Sequence, residues 1–233
     1  MPIPIFMYHQ IDIPAPRGSR FRALTVDPRD FRRQMTWLKR LGFTGLSMRD
    51  LLPYLRGEKT GKVAGITFDD GFRNVHANAM PVLQELGFTA TNYFVSRQIG
   101  GSNEWDVPLG VPYAACMSKS EMREWAALGH EVGSHTLDHV RLPTVAPSEA
   151  RRQITDARHE LEDMLGSAVD AFCYPYGGEN GEVRQIVEEA GYTNATTVKR
   201  GHARPQDDML LLPRMTVRRH DTWLHFVRKS LMD

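Results

Sequence analysis

Two patterns of apolar and polar positions alternate along the chain. In one, apolar residues return every three or four places, which predicts helices. In the other, short runs are apolar throughout, which predicts strands buried on both faces. Phe31, Met35, Leu38 and Leu41 share one helical face behind Asp27-Pro28, an N-cap and a first-turn proline, with Asp30 in the capping-box region. The same spacing predicts helices over 74–87, interrupted or kinked by Pro81, and from Ser118 or Ser120 through Trp125 to Leu128. Further helices are predicted from Ser148, with Ile154, Ala157, Leu161 and Leu165 on one face, and over 182–190 and 221–231. Strands are predicted over 3–8, 63–68, 89–95, 131–134, 171–174, 194–197 and 211–217. Helix gives way to strand through the same punctuation four times: Leu41-Gly42-Phe43, Leu86-Gly87-Phe88, Leu128-Gly129-His130 and Ala190-Gly191-Tyr192. Glycine just past the last helical turn is the usual left-handed cap, so the chain reads as alternating β and α units. About seven strands favour a barrel over an open sheet, a choice that periodicity by itself leaves open. One segment, 96–117, is long and rich in Gly and Pro and carries Trp105 and Tyr113, as functional or mobile loops do.

Composition narrows the class. Hydrophobic residues at 41% and charged residues at 24% supply a core and exclude global disorder. The 233 residues are expected to form a single domain, 1–233. Lys and Arg (29) nearly balance Asp and Glu (28), so no basic excess marks a nucleic-acid partner. No run approaches the roughly 18 apolar residues of a membrane span. The start, Met1-Pro2-Ile3-Pro4, has no basic, long-apolar or cleavage region of a secretory signal, and two cysteines make no disulfide framework. These features lead to the expectation of a cytoplasmic protein. Oligomeric state has no signature in the sequence.

Polar groups at the carboxyl ends of predicted strands are the ones to inspect in such a layout. The first strand ends in Tyr8-His9, the second in Asp69-Asp70-Gly71, that over 131–134 in His135-Thr136-Leu137-Asp138-His139, and that over 171–174 in Pro175-Tyr176-Gly177. Adjacent carboxylates after a buried strand repel one another, and a metal relieves that cost; a helix N-cap followed by a turn accounts for the doublet equally. His135 and His139 lie four apart, which on a helical turn puts both imidazoles on one face, able to share a cation. Two imidazoles and one carboxylate leave open positions on a divalent metal, and the second carboxylate is then free to act as a base on water.

Three motifs carry a family resemblance: Ile66-Thr67-Phe68-Asp69-Asp70-Gly71, Gly133-Ser134-His135-Thr136-Leu137-Asp138-His139 and Tyr174-Pro175-Tyr176-Gly177. In this order and spacing the chain resembles the polysaccharide deacetylases, carbohydrate esterase family four, also called the NodB-homology domain. Phe6-Met7-Tyr8-His9 is similar to a branch that begins with a Tyr-His motif. The resemblance spans residues 3 to about 228. It implies an α/β fold, a distorted, TIM-like (β/α) barrel of about seven strands, and metal-dependent removal of N-acetyl, sometimes O-acetyl, groups from sugars.

Carried over residue by residue, the resemblance implies Asp70, His135 and His139 as metal ligands. Zinc is the first choice, with Ni2+, Co2+ or Fe2+ as alternatives. It implies Asp69 as general base, His9 as the acid that protonates the leaving amine, and the Tyr176 backbone N–H as part of an oxyanion hole. Many members carry an arginine two residues before the Pro-Tyr-Gly, paired with the catalytic aspartate; here that position is Cys173. Arg214, in Leu212-Pro213-Arg214-Met215, is expected to reach Asp69 instead. Trp105, Tyr174, Tyr176 and Trp223 are candidate sugar platforms, whereas Trp37 and Trp125 are expected to pack. His130 and Glu131 are read as structural; His76, His159, His202, His220 and His225 are placed at the surface. The predicted activity is N-deacetylation of an acetylated amino sugar or glycan. An O-acetyl esterase and a catalytically silent sugar-binding protein are the alternatives. A metal phosphoesterase is disfavoured by the lack of a strong basic phosphate-cradling cluster. Near-neutral charge fits an uncharged acetamide, and the absence of a leader points to an intracellular glycan precursor.

Overall fold

The computed structural model describes residues 2–232. Its centre is a curled parallel sheet built from β1 (Ile5–Tyr8), β4 (Thr44–Leu46), β5 (Val63–Phe68), β6 (Thr91–Phe94), β7 (Glu131–Ser134), β8 (Ala171–Cys173), β9 (Asn194–Thr196) and β10 (Met215–Thr216). The order β10-β1-β5-β6-β7-β8-β9 follows the chain, with β10 returning beside β1. β4 pairs with the first half of β5, whose second half pairs with β6. The segment leading into β10 also touches the far edge, through a parallel bridge between Thr196 and Leu212. One stretch of chain thus meets both ends of the sheet, which gives the distorted (β/α) barrel. A separate parallel pair, β2 (Gln10–Ile11) and β3 (Thr25–Val26), lies off this sheet.

Around it run α1 (Pro28–Arg40), α2 (Met48–Leu55), α3 (Arg73–Asn78), α4 (Met80–Leu86), α5 (Lys119–Ala127), α6 (Pro147–Leu165), α7 (Gly181–Glu189) and α8 (Trp223–Leu231). Their starts follow the capping chemistry of the sequence. Asp27 accepts from the Arg29 N–H, Ser118 and Glu121 form a reciprocal box, and Asn180 and Thr222 accept from Val183 and His225. Gly42, Gly87, Gly129 and Gly191 all have positive φ, as their place after a helix requires.

Several sequence expectations are corrected. The interruption expected in 74–87 is present but lies two residues before Pro81: α3 and α4 meet at Ala79, because Pro81 sits in the first turn of the second helix. α6 begins at Pro147, not Ser148. β4 and α2 are additions: three residues with a central glycine give little strand signal, and Pro53 inside α2 reads as a breaker. His135 to His139 is not a helical turn but a loop with Thr136 at φ 70° and His139 at φ 57°. His202 is buried and its Nε2 lies 2.8 Å from the Lys229 carbonyl, rather than at the surface.

Side chains alternate across each strand, and this two-residue period sorts the core. Phe6, Tyr8, Ile66, Phe68, Phe94, Val132 and Phe172 belong to the large cluster that the helices cover, where Phe6 stacks on Phe226 of α8. Ile5, Tyr93, Ala171, Cys173 and Leu212 form a second cluster on the other face, with Leu51 and Leu55 of α2. Thr67, Asp69, Gly133 and His135 share the phase of that inner face. Gly133 is required there, since a Cβ would lie 2.4 Å from the Tyr93 ring. Among the described residues, no helix is long and apolar enough to cross a membrane.

Candidate active site

The carboxyl ends of the strands open into one cavity of about 500 Å³, walled in part by His9, Asp69, Asp70, Trp105, His135, His139, Tyr174 and Tyr176. Asp69 continues the inner phase of β5, and its N–H donates to the Tyr8 carbonyl at 3.0 Å. Asp70 then turns left-handed at φ 76° and aims its carboxylate at the histidines. His135 follows β7, anchored by its N–H to the Phe94 carbonyl. Its Nδ1 lies 2.8 Å from the Cys173 carbonyl, so that nitrogen donates and Nε2 keeps its lone pair for the cavity. The His139 N–H donates to Thr136 Oγ1, which holds the tight loop. Asp138, between the histidines, turns away and accepts from the Gln153 amide at 2.6 Å.

Asp70 Oδ1 lies 3.4 Å from His135 Nε2 and 3.3 Å from His139 Nε2, and it has no hydrogen-bond partner among the described residues. Donors about 2.0–2.1 Å from a tetrahedral zinc ion are about 3.3 Å apart, so both Asp70–histidine separations fit a shared divalent cation, and the three atoms lie within 4.8 Å of one another. The two histidine nitrogens and the carboxylate would suit a divalent metal such as zinc.

Arg214 lies where the sequence reading expects it. Its guanidinium donates two bonds to Asp69, Nη1 to Oδ1 at 2.7 Å and Nη2 to Oδ2 at 2.8 Å. It also donates to Thr67 Oγ1, the Thr197 carbonyl and Cys173 Sγ, and is fully buried. Burial pulls the Asp69 pKa up, but the charge and hydrogen bonds of Arg214 more than reverse this and hold it below the usual carboxylate value. Burial likewise opposes ionisation of Asp70, and its two histidine neighbours hold its pKa well below the ordinary value. Cys173 is fully buried, its Sγ facing the guanidinium. His9 Nε2 is 4.0 Å from Asp69 Oδ2, beside the same cavity.

The aromatic candidates separate. The Trp105 ring stacks on His139 at 4.9 Å, and Tyr176 meets the same imidazole edge-on at 4.5 Å. Tyr174 is almost wholly buried and donates its hydroxyl to the Leu210 carbonyl, so its ring is a wall rather than an open platform. Trp223 lies elsewhere: it stacks on Trp37 at 5.5 Å, where α8 packs on α1, and is no part of the cavity wall. The helical period placed Trp223 on α8 but carried no information about which neighbour it meets.

The structure adds Asp106, Arg141, Arg218 and Phe21 to the cavity wall. Burial and the nearby Asp70 charge push the Asp106 pKa up to about 6. Arg218 follows the predicted strand 211–217 and was open to the strand-end rule that found the aspartates. Asp106 arrives on the long loop, which is tied down by Asn103 bonding Pro112 and Ala114. Among the described residues, the non-glycine residues with positive φ are Phe21, Asp70, Thr136, His139 and Tyr176; four line the cavity and Thr136 lies next to His135. Strained backbone of this kind is retained where geometry serves a site.

Both fold and site match known proteins. Residues 56–195 match the family described as Polysaccharide deacetylase, well over half of the chain, and the chain belongs to that family. Its class is that of a hydrolase acting on carbon–nitrogen bonds other than peptide bonds. The chain is 28% identical to YxkH of Bacillus subtilis (strain 168) over 217 residues, covering 92% of this chain and 71% of that protein. It is 25% identical over 211 residues to the poly-beta-1,6-N-acetyl-D-glucosamine N-deacetylase of Staphylococcus epidermidis, covering 86% and 71%. The fold superposes on the Streptococcus pyogenes deacetylase PplD, solved in complex with acetate, with a TM-score of 0.86 at 24% identity, covering 100% of this chain and 99% of that one.

Proposed function

We propose that the protein is a metal-dependent N-deacetylase of an acetylated amino sugar within a glycan. One observation carries the reading: an Asp70, His135 and His139 donor set converges within hydrogen-bonding reach while a second carboxylate, Asp69, is held beside it by a buried arginine. Asp70, His135 and His139 would hold a divalent cation, which would supply Lewis acidity toward a water and an acetyl oxygen.

The chain's own residues divide the remaining work. Asp69, kept ionised by Arg214, takes the proton of the attacking water. The Tyr176 N–H stabilises the charge that develops on the acetyl oxygen. His9, on the Asp69 side of the cavity, gives a proton to the departing nitrogen, without which an amine is a poor leaving group. Trp105 and Tyr176 offer ring faces beside His139 for the sugar and its acetyl group. The amide-cleaving relative named above supports an N-acetyl substrate.

Asp69→Asn preserves the size and removes the base. Acetate release from β-1,6-linked N-acetylglucosamine oligomers is expected to fall by about 10²–10⁴-fold while one equivalent of metal is retained by elemental analysis. Near-normal turnover in the metal-loaded variant would refute the assignment.

A further inference from the structure

The catalytic cavity has a second chamber beside it. A groove of about 600 Å³ shares Phe21, Leu24 and Arg218 with the cavity and runs on past Arg22, Arg219 and His220. Among the described residues, no Asp or Glu lines it. Several arginines on the flanks of the molecule face carboxylates, as Arg32 does Glu85, Arg73 Glu121, Arg151 Glu189 and Arg184 Asp208. Among the described residues, the guanidinium groups of Arg218, Arg219 and Arg141 have no carboxylate within 4.0 Å. Asp221, the nearest acid in sequence, is taken up by Lys229 and by the Arg218 backbone N–H. The overall charge of +1 therefore conceals a cationic patch along this groove.

The groove is also built rather than incidental. The Arg219 N–H donates to the Ala23 carbonyl at 2.9 Å, fixing the turn after β10 against the segment that carries Phe21 and Leu24. Arg22 is positioned by a bond from Nε to the Ala15 carbonyl. Phe21, 40% exposed, sits at the junction with φ 57°, a conformation that a bulky side chain holds only when its surroundings impose it.

We propose that this groove is a subsite for an anionic group, phosphate or carboxylate, carried by the glycan next to the sugar that is deacetylated. The proposal rests on the deacetylase reading and names its substrate class. Guanidinium forks match both oxyanions, and the exposed Phe21 ring offers an apolar surface for the sugar between the two sites. A neutral polymer gains nothing from these charges, and a polymer already rich in free amines is repelled by them.

The test is calorimetric titration of the full metal-loaded chain with three tetramers of β-linked N-acetylglucosamine: neutral, bearing one phosphate monoester, and with one unit replaced by glucuronate. Exposed ion pairs are each worth a fraction of a kcal/mol to about 1 kcal/mol, so two or three together predict about tenfold tighter binding of an anionic tetramer. The preference is expected to shrink from about 50 mM to about 500 mM salt and to vanish in R218Q/R219Q, both exposed positions. The arm that binds tighter distinguishes phosphate from carboxylate. Equal affinity for all three, no binding of either anionic tetramer at millimolar concentration, or a preference that survives R218Q/R219Q would overturn the proposal. Acetate release from the same tetramers is read separately. Its absence from all three counts against the deacetylase reading, while the affinity ratio still decides the subsite.

Discussion

Asp69 and Arg214 are 145 residues apart in the chain and joined by two hydrogen bonds in the fold. Each is buried, and a buried charge without its partner costs several kcal/mol. Arg214→Ala is therefore expected to destabilise the fold by about 3–5 kcal/mol in urea unfolding. It also removes the charge that offsets burial, so the Asp69 pKa rises. In the proposed mechanism Asp69 must be ionised to act as base, so the acid limb of the kcat/KM profile is expected to move to higher pH. Arg214→Lys restores charge without the two-pronged fork and should recover more stability than activity. A folded Arg214→Ala protein with an unmoved acid limb would refute this role. The sequence showed the need for such a partner, because Cys173 stands where the family's arginine is common. That Arg214 meets the need depends on a long-range approach across the curled sheet.

The junction of α5 and β7 shows what an element boundary contributes. Gly129 ends the helix with φ 91°, and His130 then packs under Trp125 with ring centroids 4.2 Å apart and neither ring nitrogen hydrogen-bonded among the described residues. Burial, helped by the Arg49 charge, lowers the His130 pKa from 6.5 to about 4. Above pH 6.5 the imidazole is neutral in both folded and unfolded chains and has no effect on the balance. Below it the unfolded chain binds a proton that the folded chain refuses until about pH 4, so stability falls as pH drops through that window. The integrated loss is about 3 kcal/mol. His130→Phe should abolish it, leaving a shallower decline of urea midpoint between pH 6.5 and 4. Identical slopes in the two proteins would show that His130 does not titrate in this way. The glycine and the strand were legible in the sequence. The stacking on Trp125 was not, since Trp125 and His130 lie on different elements whose angle the sequence does not state.

At the scale of the molecule, the three proposed metal donors come from two separate strand ends, those of β5 and β7. A cation that bridges them binds the folded chain and not the unfolded one. At about a thousandfold excess over its Kd it adds about 4 kcal/mol, or about 10 °C in Tm for a chain of this size. Chelation is expected to lower Tm by that amount and Zn2+ to restore it, with His139→Ala showing no such response. A Tm that zinc leaves unchanged in the chelated wild type would remove the metal site. The same scale exposes a local charge that the net value hides: Arg218 and Arg219 lie together beside the cavity, with no carboxylate within 4.0 Å of either guanidinium among the described residues.

By itself the sequence determined the alternation of helices and strands, the glycine stops, and the strand ends that carry His9, Asp69, Asp70, His135 and His139. These are local properties, set by side-chain periodicity, capping and backbone freedom within a few residues. Only the tertiary structure decided which ends converge. It brought Arg214 across to Asp69, turned the His135–His139 segment into a left-handed loop, sent Trp223 to stack on Trp37, and delivered Asp106, Arg141 and Arg218 to the cavity. Those outcomes depend on how the sheet curls until one segment bridges its two edges, and curl is the sum of packing over the whole core.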